Sequence, residues 1–297
     1  MDGFSAFLDK MKKKYLSKKN LKKTVKEKTD SEQLMCDTFN QREGDLNKTD
    51  GYNCPECKNR GCFLVMNERG FVVNKPCKCM SIRKMILKLE KSGLPNFREM
   101  LFKNFWTVKP WQKKIKLKAM LFVQDIIRDH KNRWFFIGGQ PGCGKTHLCT
   151  AITKVLAFQG ENIHYMLWRD EVTRIKSVIT DYERYEKMMS VLKKVDVLYI
   201  DDLFKTPSPL AKQKIVYIDS CRPSAADINI AFEILNARYN NKKLITIISS
   251  EKDVDEIADM DEAIAGRIME RCEVGKNIVN IPKNKKMDFR LYRGELK

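Results

Sequence analysis

The chain has 297 residues, of which 43% are hydrophobic and 32% charged, and it carries a formal net charge of +19. No apolar run approaches the roughly 20 residues a bilayer-spanning helix requires, and lysines interrupt the N-terminus where a signal peptide would carry its apolar core. A folded cytoplasmic protein with no membrane partner is expected. The positive excess points to a polyanion, because each Lys or Arg placed against a phosphate releases condensed counterions.

Residues 1–50 form the first predicted segment. Residues 1–30 hold ten Lys against four acids, a net +6, and Phe4, Phe7, Leu8, Met11 and Tyr15 give weak helical spacing. A short basic helix is expected, then a flexible linker ending in the Gly44–Gly51 stretch.

Residues 51–80 are expected to form a separate module. Ten cysteines in a cytoplasmic chain argue for metal or buried thiols rather than disulfides, and five of them crowd into this stretch. Cys54-Pro55-Glu56-Cys57 and Cys77-Lys78-Cys79 are two close pairs separated by nineteen residues. Two such knuckles converge on one tetrahedral Zn²⁺, with the segment between them folding as a hairpin around Gly70. Cys62 is the spare and an alternative to Cys79. With no His nearby, a closed four-Cys structural site is preferred to a catalytic one, its charge offset by Lys58, Arg60, Lys75 and Lys78.

Residues 81–110 read as a basic linker, helical to the Gly93/Pro95 breaker and then irregular and aromatic through Phe97, Phe102, Phe105 and Trp106. Residues 81–118 carry eleven Lys or Arg against two acids, a net +9.

From residue 111 to 297 apolar runs alternate with helical spacing. Strands are expected at 134–137, 162–167, 195–200, 244–249 and 278–281. Helices are expected at 111–130, 145–159, 170–180, 183–193, 227–239 and 262–271. Buried β-branched strands separated by helices indicate an α/β domain with a five-stranded parallel sheet covered on both faces.

The chemistry concentrates at the strand ends. Gly139-Gln140-Pro141-Gly142-Cys143-Gly144-Lys145-Thr146 matches the Walker A pattern between a predicted strand and a predicted helix. Its glycines let successive N–H groups converge on phosphate at a helix N-terminus. Lys145 is placed to reach the β- and γ-phosphates and Thr146 to ligate Mg²⁺, with His147 next in the helix. Val197-Leu198-Tyr199-Ile200-Asp201-Asp202 fits Walker B, Asp201 holding Mg²⁺ and Asp202 activating the attacking water. The strand ending Ser249-Ser250-Glu251 supplies a sensor position, with Ser249 and Ser250 as alternatives to helix caps. Arg267 and Arg271 share a helix face, where a planar guanidinium suits a γ-phosphate supplied across a subunit interface. An intrachain ion-pair role is the alternative.

With these blocks in order, and with Tyr199-Ile200-Asp201-Asp202-Leu203-Phe204-Lys205 and Asn236-Ala237-Arg238-Tyr239 among them, the sequence resembles the DnaC/DnaI replicative helicase loaders of the AAA+ ATPases. The resemblance covers residue 52 to the C-terminus. It implies ATP-regulated delivery of a hexameric helicase onto single-stranded DNA by a homo-oligomer, with partner binding through the N-terminal module. It favours Arg271 over Arg267 as finger, makes Arg290 a second sensor, and gives Trp168, Arg169, Arg174 and Lys176 a role in contacting DNA. The chain departs from the family where many members carry Asn as first sensor and Glu after the Walker B Asp, which makes slow hydrolysis the expectation. ATP, Mg²⁺ and Zn²⁺ are the implied cofactors. A transposition helper of the IstB type shares the same core and is the neighbouring reading. A nucleotide-binding zinc adaptor that tethers DNA without significant hydrolysis is the reading from a different class.

Overall fold

A computed structural model describes residues 30–91, 93–94, 99–129, 133–205, 222–273 and 275–292. The amphipathic spacing read at residues 4–15, together with Pro95, Phe97, His130 and Cys221, lies outside the described residues. The chain divides into two compact units, one up to Arg83 and one from Lys84.

In the first unit, residues 30–41 are helical (α1), followed by α2 (Leu46–Asp50). A hairpin pairs β1 (Cys62–Met66) with β2 (Val72–Pro76) in antiparallel register. The flexible linker expected before residue 50 is replaced, over the described residues, by ordered structure. Cys36 and Asp50 are buried. The Asn40 side-chain amide donates to the Leu64 carbonyl and accepts from the Leu64 N–H, so it pairs with the β1 backbone like an added strand residue. The polar composition that reads as a loop is spent on such backbone bonds.

The second unit follows the predicted alternation. Its sheet has the order β4 (Ile163–Leu167), β5 (Val197–Leu203), β6 (Ile245–Ser250), β3 (Trp134–Gly139), β7 (Ile278–Ile281), with every neighbouring pair parallel. The helices of this unit begin with α3 (Cys79–Lys91), whose first residues belong to the first unit, and α4 (Pro110–Asp129). Then come α5 (Lys145–Phe158), α6 (Trp168–Ser177), α7 (Tyr182–Lys194) and α8 (Ala225–Asn240). The last are α9 (Val254–Ala258), α10 (Glu262–Arg271) and α11 (Phe289–Tyr292). The short α9 is absent from the sequence reading; Asp253 opens it with a capping box closed by Glu256.

The central strands β3 and β6 are buried throughout, as a parallel sheet covered on both faces requires. One buried cation organises the far end of this sheet. Arg238, fully buried on α8, donates to the carbonyls of Leu192, Val195 and Ile245 and to the Thr246 hydroxyl. It thereby ties the end of α7 to the starts of β5 and β6. Burial pulls its guanidinium down to about 9.

Among the described residues, no helix is long and apolar enough to cross a membrane.

Candidate nucleotide site and cysteine cluster

The glycine-rich turn leaves the buried end of β3 and enters α5 at Lys145. Its backbone is pinned from the C-terminal side of the sheet: the Gln140 N–H donates to the Ile281 carbonyl at 3.2 Å, and the Phe289 N–H to the Gly142 carbonyl at 3.0 Å. Gly142 has φ 72°, and a Cβ there would fall 2.0 Å from Asp288 Oδ1, so only glycine fits. Lys145 is buried, and its amine donates to the carbonyls of Gly139 and Gln140, each at 2.9 Å. These bonds hold the ammonium folded over the loop whose N–H groups converge on an anion. The Cys143 thiol also donates to the Gln140 carbonyl, and burial pushes it up, keeping it protonated.

Asp201 sits opposite, at the end of β5, inside a cage of hydroxyls. Its Oδ1 accepts from Thr146 at 3.2 Å, from Tyr199 at 2.8 Å and from Ser249; its Oδ2 accepts from Tyr165 at 3.1 Å. Burial raises its pKa against the lowering effect of these donors. The sheet register shifts between Ile200 and Leu203, and Asp202 takes φ 58°. Such an irregularity re-aims side chains at a strand end. It lets consecutive acids do different things, Asp201 buried against Thr146 and Asp202 lining the open cleft. Oxygen donors of this kind suit Mg²⁺, and Thr146 and Asp201 are close enough to share its coordination sphere. The loop, Lys145 and this pair therefore fit a Mg²⁺–nucleotide.

The cleft beside them has a volume of about 480 Å³. One wall comes from the segment read as an irregular connector: Met100, Asn104, Phe105 and Trp106 line it. The Leu101 carbonyl meets His147 Nε2 at 2.9 Å, and Phe105 stands edge-on to the imidazole at 5.3 Å. Burial pulls His147 down, so it stays neutral as a wall residue. Arg290 lines the opposite side, its N–H held by Asp288 at 2.8 Å. Sequence reasoning missed Phe105, Trp106, Tyr165 and Tyr199 as site residues. The aromatic run of the connector, for Phe105 and Trp106, and the tyrosine inside Walker B, for Tyr199, were the available signals; Tyr165 on edge strand β4 carried none.

Other expected residues lie elsewhere. Ser249 rather than Ser250 meets Asp201; the Ser250 hydroxyl donates to the Leu203 carbonyl at 2.8 Å and accepts from the Lys252 N–H. Arg267 stacks on Phe232 and Tyr239 and bonds Asn236. Arg271 lies over Trp134, at the opposite end of β3 from the glycine-rich turn, and donates to the Leu244 carbonyl. Neither arginine lines its own chain's cleft. Trp168 requires a correction. It is 2% exposed and packs edge-on against Phe204, so its face is unavailable for base stacking. As the first residue of α6 it points into the core, a direction the sequence pattern does not reveal. Arg169 and Arg174 are exposed, Arg174 beside Glu171 at 3.4 Å, and Lys176 pairs with Asp227 at 2.6 Å.

In the first unit, Cys54, Cys57, Cys77 and Cys79 are all buried with their sulfurs within 4.8 Å of one another. Cys54–Cys77 and Cys57–Cys79 sulfurs are 3.8 and 3.6 Å apart. A tetrahedron with Zn–S bonds near 2.3 Å has edges of about 3.8 Å, so the four thiols fit zinc. Cys62 starts β1 and is outside the cluster, which includes Cys79. The Gly61 N–H donates to Cys57 at 3.2 Å. Although burial opposes ionisation of Cys57, this bond and the neighbouring thiols bring it to about 7; burial pushes Cys79 up to about 12. The buried Arg83 reaches Cys79, pairs with Asp50 and bonds Asn59. Its charge at the cluster is thus shared with Asp50, while the expected Lys58 and Arg60 bond the carbonyls of Gln41 and Arg42.

The family model for IstB-like ATP binding proteins matches residues 69–290. This chain belongs to the IstB-like ATP-binding family. The IstB-like chain is 33% identical over 229 residues to the phage-like element PBSX protein XkdC of Bacillus subtilis, covering 74% of this chain and 80% of that protein. It is 26% identical over 123 residues to the replicative helicase loader DnaC of Buchnera aphidicola subsp. Baizongia pistaciae, covering 40% of this chain and about half (49%) of that loader. A crystal structure of the DnaC helicase loader superposes with a TM-score of 0.50 at 18% identity, over 64% of this chain and 99% of that one. The IstB-like chain thus has the AAA+ fold expected from its motifs, with a four-cysteine cluster ahead of it in the sequence.

Proposed function

We propose that this protein is an ATP-hydrolysing switch that loads a replicative hexameric helicase onto single-stranded DNA. The observation that carries the reading is the convergence of Lys145, Thr146 and Asp201 at the mouth of the glycine-rich turn. Lys145 would exchange its two loop carbonyls for β- and γ-phosphate oxygens. Thr146, and Asp201 through water, would hold Mg²⁺, which supplies charge neutralisation between those phosphates. Asp202 then accepts a proton from the water that attacks the γ-phosphorus while the bond to the ADP oxygen breaks. Tyr165, Tyr199 and Ser249 hold the Asp201 carboxylate in one orientation throughout.

Arg290 approaches the phosphates from the cleft wall, and Ser250 supports the sensor strand through its backbone bonds. Arg271, or Arg267 beside it, acts as finger on a neighbouring subunit, an assignment that requires oligomerisation and release of its present carbonyl contacts. Arg169 and Arg174, being exposed, are the α6 residues best placed to meet DNA phosphates. The zinc module engages the helicase, with residues 1–50 ahead of it, and the ATPase unit runs from residue 84 rather than 111, since Met100, Asn104, Phe105 and Trp106 wall its cleft. Resemblance to helicase loaders supports this partner.

The IstB-like family match favours a second reading, a helper ATPase for transposition. A pull-down of purified replicative helicase by the full chain with ATP and Mg²⁺ separates the two. Retention that disappears on deleting residues 51–80 is the expected result; no association in any nucleotide state would sink the loader reading.

A further inference from the structure

Lys205 occupies a place the ATPase chemistry does not use. Its amine bonds Asp202 Oδ2 at 2.7 Å and Glu251 Oε1 at 3.0 Å. The turn carrying it is fixed: the Lys205 N–H returns to the Asp202 carbonyl, and both Asp202 and Phe204 adopt positive φ, 58° and 61°. Non-glycine residues hold that backbone only where their surroundings over-determine it. The turn keeps Lys205 directly over the acid proposed to activate water.

The same lysine lines a second groove, of about 270 Å³, on the other side of the turn. Trp168 and Phe204, packed edge-on at 5.4 Å, give it a rigid floor. Arg169 and Lys176 line it with Lys205, set against one carboxylate, Asp227. Lys176 is already paired with Asp227, so Arg169 and, once drawn from its two acids, Lys205 are the cations that would meet an anion. With the Thr173 hydroxyl and the apolar floor they suit a phosphodiester lying beside its sugar. Lys205 is therefore shared between the nucleotide cleft and an anion-attracting groove.

We infer that Lys205 is a phosphate-operated latch, which blocks Asp202 until a phosphodiester of single-stranded nucleic acid in the α6 groove draws the ammonium away. The inference rests on Asp202 being the water-activating acid. The ammonium on Oδ2 stabilises the Asp202 carboxylate as the anion and weakens it as a base toward the attacking water, and hydrolysis idles. A lysine suits the task because its charge sits on a flexible stem that swings between partners without deprotonating. Its two carboxylates keep the amine charged despite partial burial. The slow unstimulated turnover expected from the sequence then has a physical cause in the Lys205–Asp202 pair.

The test measures initial ATP hydrolysis by the full chain with Mg²⁺, with and without oligo(dT), for wild type, Lys205→Met, Lys205→Gln and Lys205→Arg. Both neutral variants are expected to raise the DNA-free rate at least about tenfold, a fraction of the roughly 10²–10⁴-fold a general base supplies. Oligo(dT) should then add less than about twofold. Lys205→Arg keeps a low DNA-free rate and retains stimulation. DNA-free rates that fall or stay level in both neutral variants overturn the latch, making Lys205 a phosphate ligand or a bystander. If wild type is stimulated by oligo(dT) in that case, only the latch falls. If wild type under every condition matches Lys145→Ala, the ATPase reading falls with it.

Discussion

The four sulfurs of the cysteine cluster come from two short stretches of chain that fold back on one another through a single hairpin. The Asp201 carboxylate takes its partners from four elements instead: Thr146 on α5, Tyr165 on β4, Tyr199 on its own β5 and Ser249 on β6. The first geometry is local and needs a metal to be worth forming. The second is assembled by the sheet from residues far apart in sequence. A local site is written in residue spacing; a site assembled from distant strands is written in which faces of those strands meet.

The largest expected effect tests the local half of that contrast. A strong chelator, or Cys57→Ser, should remove one zinc per chain and abolish the unfolding transition of the first unit, because binding energies for structural zinc run to about 10–16 kcal/mol. A first unit that keeps a cooperative transition by calorimetry without metal would break the comparison. Next comes the assembled half. Lys145→Ala should weaken ATP binding or hydrolysis by about 10²-fold or more, since a positioned cationic donor is lost from the phosphates, while circular dichroism stays native.

Arg238→Met probes how the assembled site is held. It leaves the carbonyls of Leu192, Val195 and Ile245 without their donor, and urea denaturation should record a loss of about 3 kcal/mol. A smaller effect separates the adjacent serines. Ser249→Ala should lower kcat by roughly tenfold, the scale of one lost hydrogen bond to a charged group. Ser250→Ala should instead cost about 1 kcal/mol of stability with kcat little changed. The reverse pattern would return the sensor role to Ser250.

The smallest effect concerns pH. Because burial raises the Asp201 pKa, the folded state binds its proton more tightly than the unfolded state does. Its ionisation therefore weakens the metal-free fold as pH rises from the ordinary carboxylate range through the raised value. Asp201→Asn should raise the metal-free Tm at neutral pH, with the gain vanishing in acid. A gain that persists unchanged at low pH would assign it to packing.

Much of this was legible in the chain. The five strands, the P-loop and the crowding of the cysteines follow from spacing and residue type, although spacing left Cys62 open as an alternative to Cys79. The wall formed by Leu101–Trp106 did not, because it has no periodicity and its order comes from a carbonyl on His147 and a ring against it. Trp168 looked like a stacking platform since a helix's first residue gives no sign of which way it faces. Arg267 and Arg271 shared a helix face as expected, yet that face lies against Phe232, Tyr239 and Trp134 rather than in the cleft. Periodicity says that residues lie together and leaves open what they lie against.

Of the four tryptophans, Trp134 and Trp168 are sealed in the core and Trp111 is half-buried against Phe289, whereas Trp106 stands 42% exposed on the cleft wall. The indole at that wall is a built-in optical gauge. Nucleotide entering the cleft should quench and shift its emission while the core tryptophans stay silent. Occupancy can then be followed in real time, in the unlabelled protein and in the presence of partners, with Trp106→Phe as the dark control.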